Sequence, residues 1–211
     1  MNYCIFTTYN RQQQIEQLTR KVSDIFDGEI LVYDDGSDYA PNIVGTLHRY
    51  KYNHGKRQYW QLFTDIFQGL RGKHIDKFWI LPDDVTIQDD FFTESIRLWD
   101  SIIDDRKICL STGHNHNRHY RECWTYFTPV KMGEVVRTQW NDLCFMAEKT
   151  FLEALNYQIE QPLPEYDYRS SGVGRYISRK LHKDLWNLYH VDKSLVEFPA
   201  NETRMHLKEK V

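Results

Sequence analysis

Residues 29–37 read EILVYDDGS: an apolar, strand-forming run that breaks at once into two carboxylates, a glycine and a serine. Short apolar runs bounded by turn formers make buried strands, and Asp, Gly and Ser are the usual residues of a β-turn. The same event occurs upstream, where YCIFTT (3–8) gives way to Tyr9, Asn10 and Arg11. It occurs again downstream, where FWIL (78–81) is stopped by Pro82 and followed by Asp83 and Asp84. Between these runs, Ile15, Leu18, Val22 and Ile25 recur at spacings of three and four behind Asn10, a residue suited to capping a helix. Tyr59, Leu62, Phe63, Ile66, Phe67 and Leu70 mark one face of a second helix, and Phe92, Ile96, Trp99 and Ile103 mark a third. Strand–helix–strand alternation of this kind predicts an α/β fold, with a mostly parallel central sheet covered by helices on both faces.

Outward from this frame the pattern is less regular. A strand is expected at Ile108 to Thr112, a polar loop at His114 to Arg121, helices at Thr150 to Tyr157 and Gly172 to Asp184, and a last strand at Ser194 to Phe198. The chain has 211 residues, 41% hydrophobic and 27% charged, which excludes disordered and collagen-like classes. That length fits one domain, here in two halves, residues 1–105 and 106–211. Their charges differ. The first half sums to −6 and the second to +3, within a total of −3, so a large basic footprint for duplex DNA is lacking. No apolar run is long enough to span a bilayer, and the opening MNYCIFTTYNR lacks the form of a signal peptide. Cys4, Cys109, Cys123 and Cys144 are far apart and form no CxxC pair, so reduced thiols and a cytoplasmic setting are expected.

In an open α/β sheet, ligands bind beyond the carboxyl ends of the strands. That rule selects Thr7 to Arg11, Asp34 to Ser37, and Asp83 with Asp84, all on one edge. Adjacent carboxylates such as Asp83 and Asp84 repel unless a cation accompanies them, and Mg²⁺ or Mn²⁺ takes one or two carboxylates together with substrate phosphates. The alternative is a solvated turn with acids favouring a helix N-terminus. Asp34 or Asp35 can accept the N–H of a uracil ring on which Tyr9 stacks; otherwise the pair makes a turn.

The ordered set FTTYNR (6–11), VYDDGSD (32–38), NHGKRQYW (53–60) and ILPDDV (80–85) resembles nucleotide-sugar-dependent glycosyltransferases of the GT-A fold, in particular the family 2 group. The resemblance covers residues 3–92. It implies that Thr8, Tyr9 and Arg11 line the nucleotide loop and that Asp34 and Asp35 are the base-binding acids. Gly55, Lys56 and Arg57 match the phosphate-side segment. Asp83 and Asp84 match the metal motif for Mn²⁺ or Mg²⁺, with Asp84 the direct ligand. Leu81 and Pro82 depart from the pattern, standing where a first Asp often lies. More loosely, SLVE (194–197) and TRMH (203–206) resemble the closing segment of soluble members, in which a His, here His206, completes the metal shell. Inverting members use an acid near a late helix as general base; Asp167 and Glu165 are the candidates and Asp142 the alternative, each otherwise a capping or solvated acid.

The resemblance thus implies a glycosyltransferase that moves a sugar from a nucleotide-diphosphate donor, a UDP-sugar, to a hydroxyl acceptor. The SSG (170–172) and SLVE…MH segments resemble those of small soluble phage-encoded enzymes that glycosylate hydroxylated bases in DNA, which would place the chain in the host cytoplasm; a saccharide or cell-wall acceptor is the rival. The loop of His114, His116, Arg118, His119, Tyr120, Arg121 and Trp124 offers anion contacts and stacking faces for such an acceptor. Its histidines have no cysteine or acid in register for zinc. A nucleotidyltransferase would carry a glycine-rich loop after the first strand, and TTYNRQQQ has no glycine. A non-catalytic nucleotide-sugar-binding module of the same fold is the remaining alternative.

Overall fold

The structure, a computed structural model, describes residues 1–113, 129–141, 143–161 and 172–198. Three strands arise where the apolar runs predict them: β1 (Tyr3–Thr8), β2 (Glu29–Asp34) and, after β3 (Thr46–Arg49), β4 (Phe78–Pro82). Helix α1 (Gln12–Ile25) follows β1, and α2 (Gly55–Gly69) follows β3. After β5 (Thr86–Ile87) come α3 (Phe91–Ser101) and β6 (Lys107–Ser111). The second half adds β7 (Val130–Met132), β8 (Val135–Thr138), β9 (Phe145–Ala147), α4 (Lys149–Ala154), α5 (Val173–Lys183), β10 (Asn187–Val191) and β11 (Val196–Glu197).

Nine of these strands form one sheet in the order β3-β2-β1-β4-β9-β6-β10-β8-β7. Only β9 and β8 run against the rest, each pairing antiparallel with its neighbours. The sheet is therefore mixed but mostly parallel, and its centre is buried on both faces. Alternation along β1 sends Ile5 to one side and Phe6 to the other, as the period of two requires. On the first side lie Leu62, Phe63, Ile66 and Phe67 of α2, Phe151 of α4 and Ile177 of α5. On the second lie Ile15, Leu18 and Val22 of α1 and Phe92, Leu98 and Trp99 of α3. This is the α/β class with helices on both faces that the alternation predicts.

Several local expectations are corrected. Asn10 does not cap α1: it sits at φ +52, its side chain accepts the Asp38 N–H at 2.9 Å, and the cap position falls on Arg11. Ile103 is not on the core face of α3 but past its end and 95% exposed. Strands β3, β5, β7, β8, β9 and β10 have no counterpart among the expected strands. Five of them have at most four residues, too few for periodicity to register, and β3 is largely exposed. Cys4, Cys109 and Cys144 are buried free thiols, as expected, and Cys123 lies outside the described residues.

Candidate functional site

Strand β1 is flanked by β2 on one side and β4 on the other, both parallel to it. The register sets Thr8 beside Asp34 and Thr7 beside Pro82, so the three polar segments emerge at one edge. The chain order reverses direction across β1 and β4, and such a switch point opens a crevice at the strands' carboxyl ends.

Asp83 bridges that crevice. Its Oδ2 accepts the Thr8 hydroxyl at 2.7 Å and the Tyr9 N–H at 3.3 Å. The Arg11 guanidinium stands between the paired acids, 3.7 Å from Asp83 and 3.4 Å from Asp84. Burial pushes the Asp83 carboxyl up to about 6, with Asp84 adding to the rise and Thr8, Arg11 and Tyr9 opposing it. One cation thus serves two carboxylates.

Asp34 and Asp35 are both buried, and their oxygens are engaged inside the protein. Asp34 Oδ1 accepts the Ser37 N–H at 3.0 Å and also the Ser37 hydroxyl; Oδ2 accepts Arg49 Nε at 3.0 Å. Asp35 Oδ1 accepts the His54 N–H at 3.0 Å and meets the His54 ring at Nδ1. Asp35 Oδ2 accepts Asn53 Nδ2 at 2.9 Å. Burial raises the Asp35 carboxyl above its ordinary value against the opposing bonds from His54. Asp35 therefore anchors the start of α2, whose first turn carries no acid but holds Lys56 and Arg57.

Tyr59, read from sequence as a core residue of α2, also belongs to this edge. Its hydroxyl pairs with Thr7 Oγ1 at 3.1 Å, and burial, with Asp83, Asp35 and Asp84 nearby, holds the phenol neutral. Sequence reasoning selected the Asp34 to Ser37 turn but missed its partners Arg49, Asn53 and His54, and missed Tyr59 at the same edge. Asn53 and His54 sit within NHGK and were in plain view; Arg49 carried no signal, because its strand did not. A cleft of about 210 Å³ opens beside the first loop, lined by Thr8, Asn10, Gln12, Ile15, Ser37, Asp38, Tyr39 and Pro41.

Asp142, Glu165, Asp167 and His206 lie outside the described residues, as does the loop from His114 to Trp124. Among the described residues no group of three His, Cys, Asp or Glu side chains forms a metal cluster. Asp84 is brought beside Asp83, and β11 pairs antiparallel with β5, joining Val196 to Ile87 just past the Asp84 turn. No described helix is long and apolar enough to cross a membrane.

No protein-family model matches the chain, and no curated protein does either. Solved structures do. GalNAc-T7 with UDP, GalNAc and Mn²⁺ is similar at 15% identity and TM-score 0.62, over 91% of this chain and 42% of that one. S. aureus TarS is similar at 12% identity and TM-score 0.59, over 92% of this chain and 36% of that one. A mycobacterial protein is similar at 12% identity and TM-score 0.60, over 98% and 70%. The chain spans less than half the length of the first two. At these identities the likeness concerns the fold, and the fold is the GT-A type.

Proposed function

We propose that this chain is a metal-dependent glycosyltransferase that takes a sugar from a nucleotide-diphosphate donor, a UDP-sugar, to a hydroxyl acceptor. The observation that carries the reading is the Thr8–Asp83–Arg11–Asp84 constellation at the switch point between β1 and β4. Its charge balance supports a divalent ion, since two carboxylates share one guanidinium in a largely desolvated place. The donor set fits Mn²⁺ or Mg²⁺: oxygen ligands from the protein, few in number, which leaves coordination positions for substrate phosphates. Asp84 would hold the ion. His206 is the second proposed ligand, and the β5–β11 pairing supports it by leading the chain that precedes it past the Asp84 turn. When bound, the ion would neutralise charge on the departing diphosphate.

The chain's own residues do the rest. Asp83, fixed by Thr8 and Tyr9, orients the first loop and sets the place of Asp84. Lys56 and Arg57 at the start of α2 draw in the phosphates, and Asp35 holds that helix start in position. Tyr9 gives the base a ring to stack on, while Asp34 and Asp35, bonded to Ser37, Arg49, Asn53 and His54, hold the loops beside it in shape. A carboxylate of the second half, Asp167 or else Glu165 or Asp142, takes the proton of the acceptor hydroxyl. On this reading residues 1–105 bind donor and residues 106–211 bind acceptor. Two acceptor classes follow, a saccharide and a hydroxylated base in DNA; the second half's charge of +3 suits the latter.

Thermal shifts with UDP-, GDP- and TDP-sugars, with and without Mn²⁺, test the reading. A ligand at 100 times its Kd adds about 2.7 kcal/mol, or roughly 5–10 °C for a chain of this size. The UDP-sugar with Mn²⁺ is expected to give the largest shift, and Asp84→Asn to remove its Mn²⁺-dependent part. An unchanged shift in Asp84→Asn, with no donor turnover in either protein, would favour a binding module instead. Mass spectrometry of hydroxymethylated DNA and of oligosaccharides incubated with the best donor then assigns the acceptor.

A further inference from the structure

The two aspartates at the switch point are held very differently. Asp83 has two hydrogen bonds, from Thr8 and Tyr9, that lock it to β1 and its loop. Asp84, with a side chain 19% exposed, has the Arg11 guanidinium at 3.4 Å as its ion-pair partner. That separation, and the 3.7 Å to Asp83, are ion-pair rather than hydrogen-bond distances. Arg11 itself is held by these two carboxylates alone among the described residues, and its side chain is only 12% exposed. It also occupies the cap position of α1, where the helix dipole opposes a positive charge. A cation kept in an unfavourable place, loosely bonded and facing two acids, is there for the acids' charge.

We propose that Arg11 is a resident counter-ion for Asp84, exchanged for the divalent ion when the donor complex forms. Arg11 and the metal then compete for one carboxylate, while Asp83 stays fixed and keeps the loop in register. The exchange needs only a side-chain movement at the mouth of the crevice. This inference rests on the reading of Asp84 as a metal ligand. It adds that a residue of the chain lowers metal affinity in the donor-free protein.

Calorimetric titration of Mn²⁺ into the donor-free full chain tests this without reference to turnover. Arg11→Gln is expected to bind Mn²⁺ about two- to fivefold more tightly than the parent, the scale of one partly screened ion pair. Arg11→Met, which keeps the stem's bulk without charge, repeats the comparison should the glutamine variant fold poorly. Asp84→Asn is expected to lose the site. Equal or weaker binding in the Arg11 variants, with the site still lost in Asp84→Asn, overturns the competition and leaves the metal ligand standing. Undiminished binding in Asp84→Asn, or no Mn²⁺ binding by any of the proteins, removes the metal reading and this inference with it.

Discussion

Arg49 reaches back from the edge strand β3 and places its Nε 3.0 Å from Asp34 Oδ2, a carboxylate with no solvent exposure. Its Nη2 also donates to the Ser37 carbonyl at 2.5 Å. The turn after β2 is therefore held by the outermost strand of the sheet. Removing one partner of a buried ion pair leaves an uncompensated charge. Arg49→Met should cost about 2–3 kcal/mol, less than a fully buried pair because the arginine is partly exposed. Asp34→Asn in the same chain should recover part of that loss, and urea unfolding of the three proteins measures it.

Gly36 provides a second test. It sits at φ +75, and a Cβ there would lie 2.5 Å from the Tyr52 carbonyl carbon and 2.6 Å from the Asn53 nitrogen. Both obstacles are backbone. Gly36→Ala should lose about 1–3 kcal/mol from strain and displacement. Because Asn53 binds Asp35, the same change should weaken the UDP-sugar thermal shift. A fully stable variant would mean that the 52–53 backbone yields freely.

A pH effect is expected away from the site. His48 stacks on Tyr33 with ring centres 4.6 Å apart, and burial, followed by Lys73, lowers its pKa below 6.5. The unfolded chain then takes up the proton first as the pH falls. Stability from this group is complete above 6.5 and declines from there down through the folded value. The urea midpoint should drop more between pH 7.5 and 5.5 in the parent than in His48→Phe. Equal drops would remove His48 from the account.

Tyr59→Phe deletes only the hydroxyl that meets Thr7. A loss of about 1 kcal/mol is expected for one hydrogen bond. The Mn²⁺-dependent shift should survive, because no metal ligand is assigned to this side chain. Loss of that shift would place Tyr59 in the donor's path.

The parts of the fold legible in the sequence were those whose burial imposes a pattern. YCIFTT, EILVY and FWIL announced themselves because strands covered on both faces are uniformly apolar, and α1, α2 and α3 because a one-sided helix repeats every three to four residues. The short strands were silent. β9 inserts Phe145, Met146 and Ala147 between β4 and β6, a pairing determined by distant partners and not by local pattern. At the site, the strand-end rule brought Thr8, Asp83 and Asp84 together before any contact was known. It did not anticipate that Asp34 and Asp35 would spend their oxygens on Ser37, Arg49, Asn53 and His54. Those partners come from three segments, and a carboxylate at a strand end reads the same whether it faces a ligand or a neighbour.

The β5–β11 ladder has a practical meaning for measurement. Two short strands, far apart in the chain, share hydrogen bonds immediately beyond the aspartate turn. The backbone amides of Thr86, Ile87, Val196 and Glu197 thus form a built-in reporter whose deuterium uptake follows the opening of that corner. If occupancy of the crevice stiffens the turn, protection should rise on both strands in concert, one seen in the middle of the polypeptide and the other near its close.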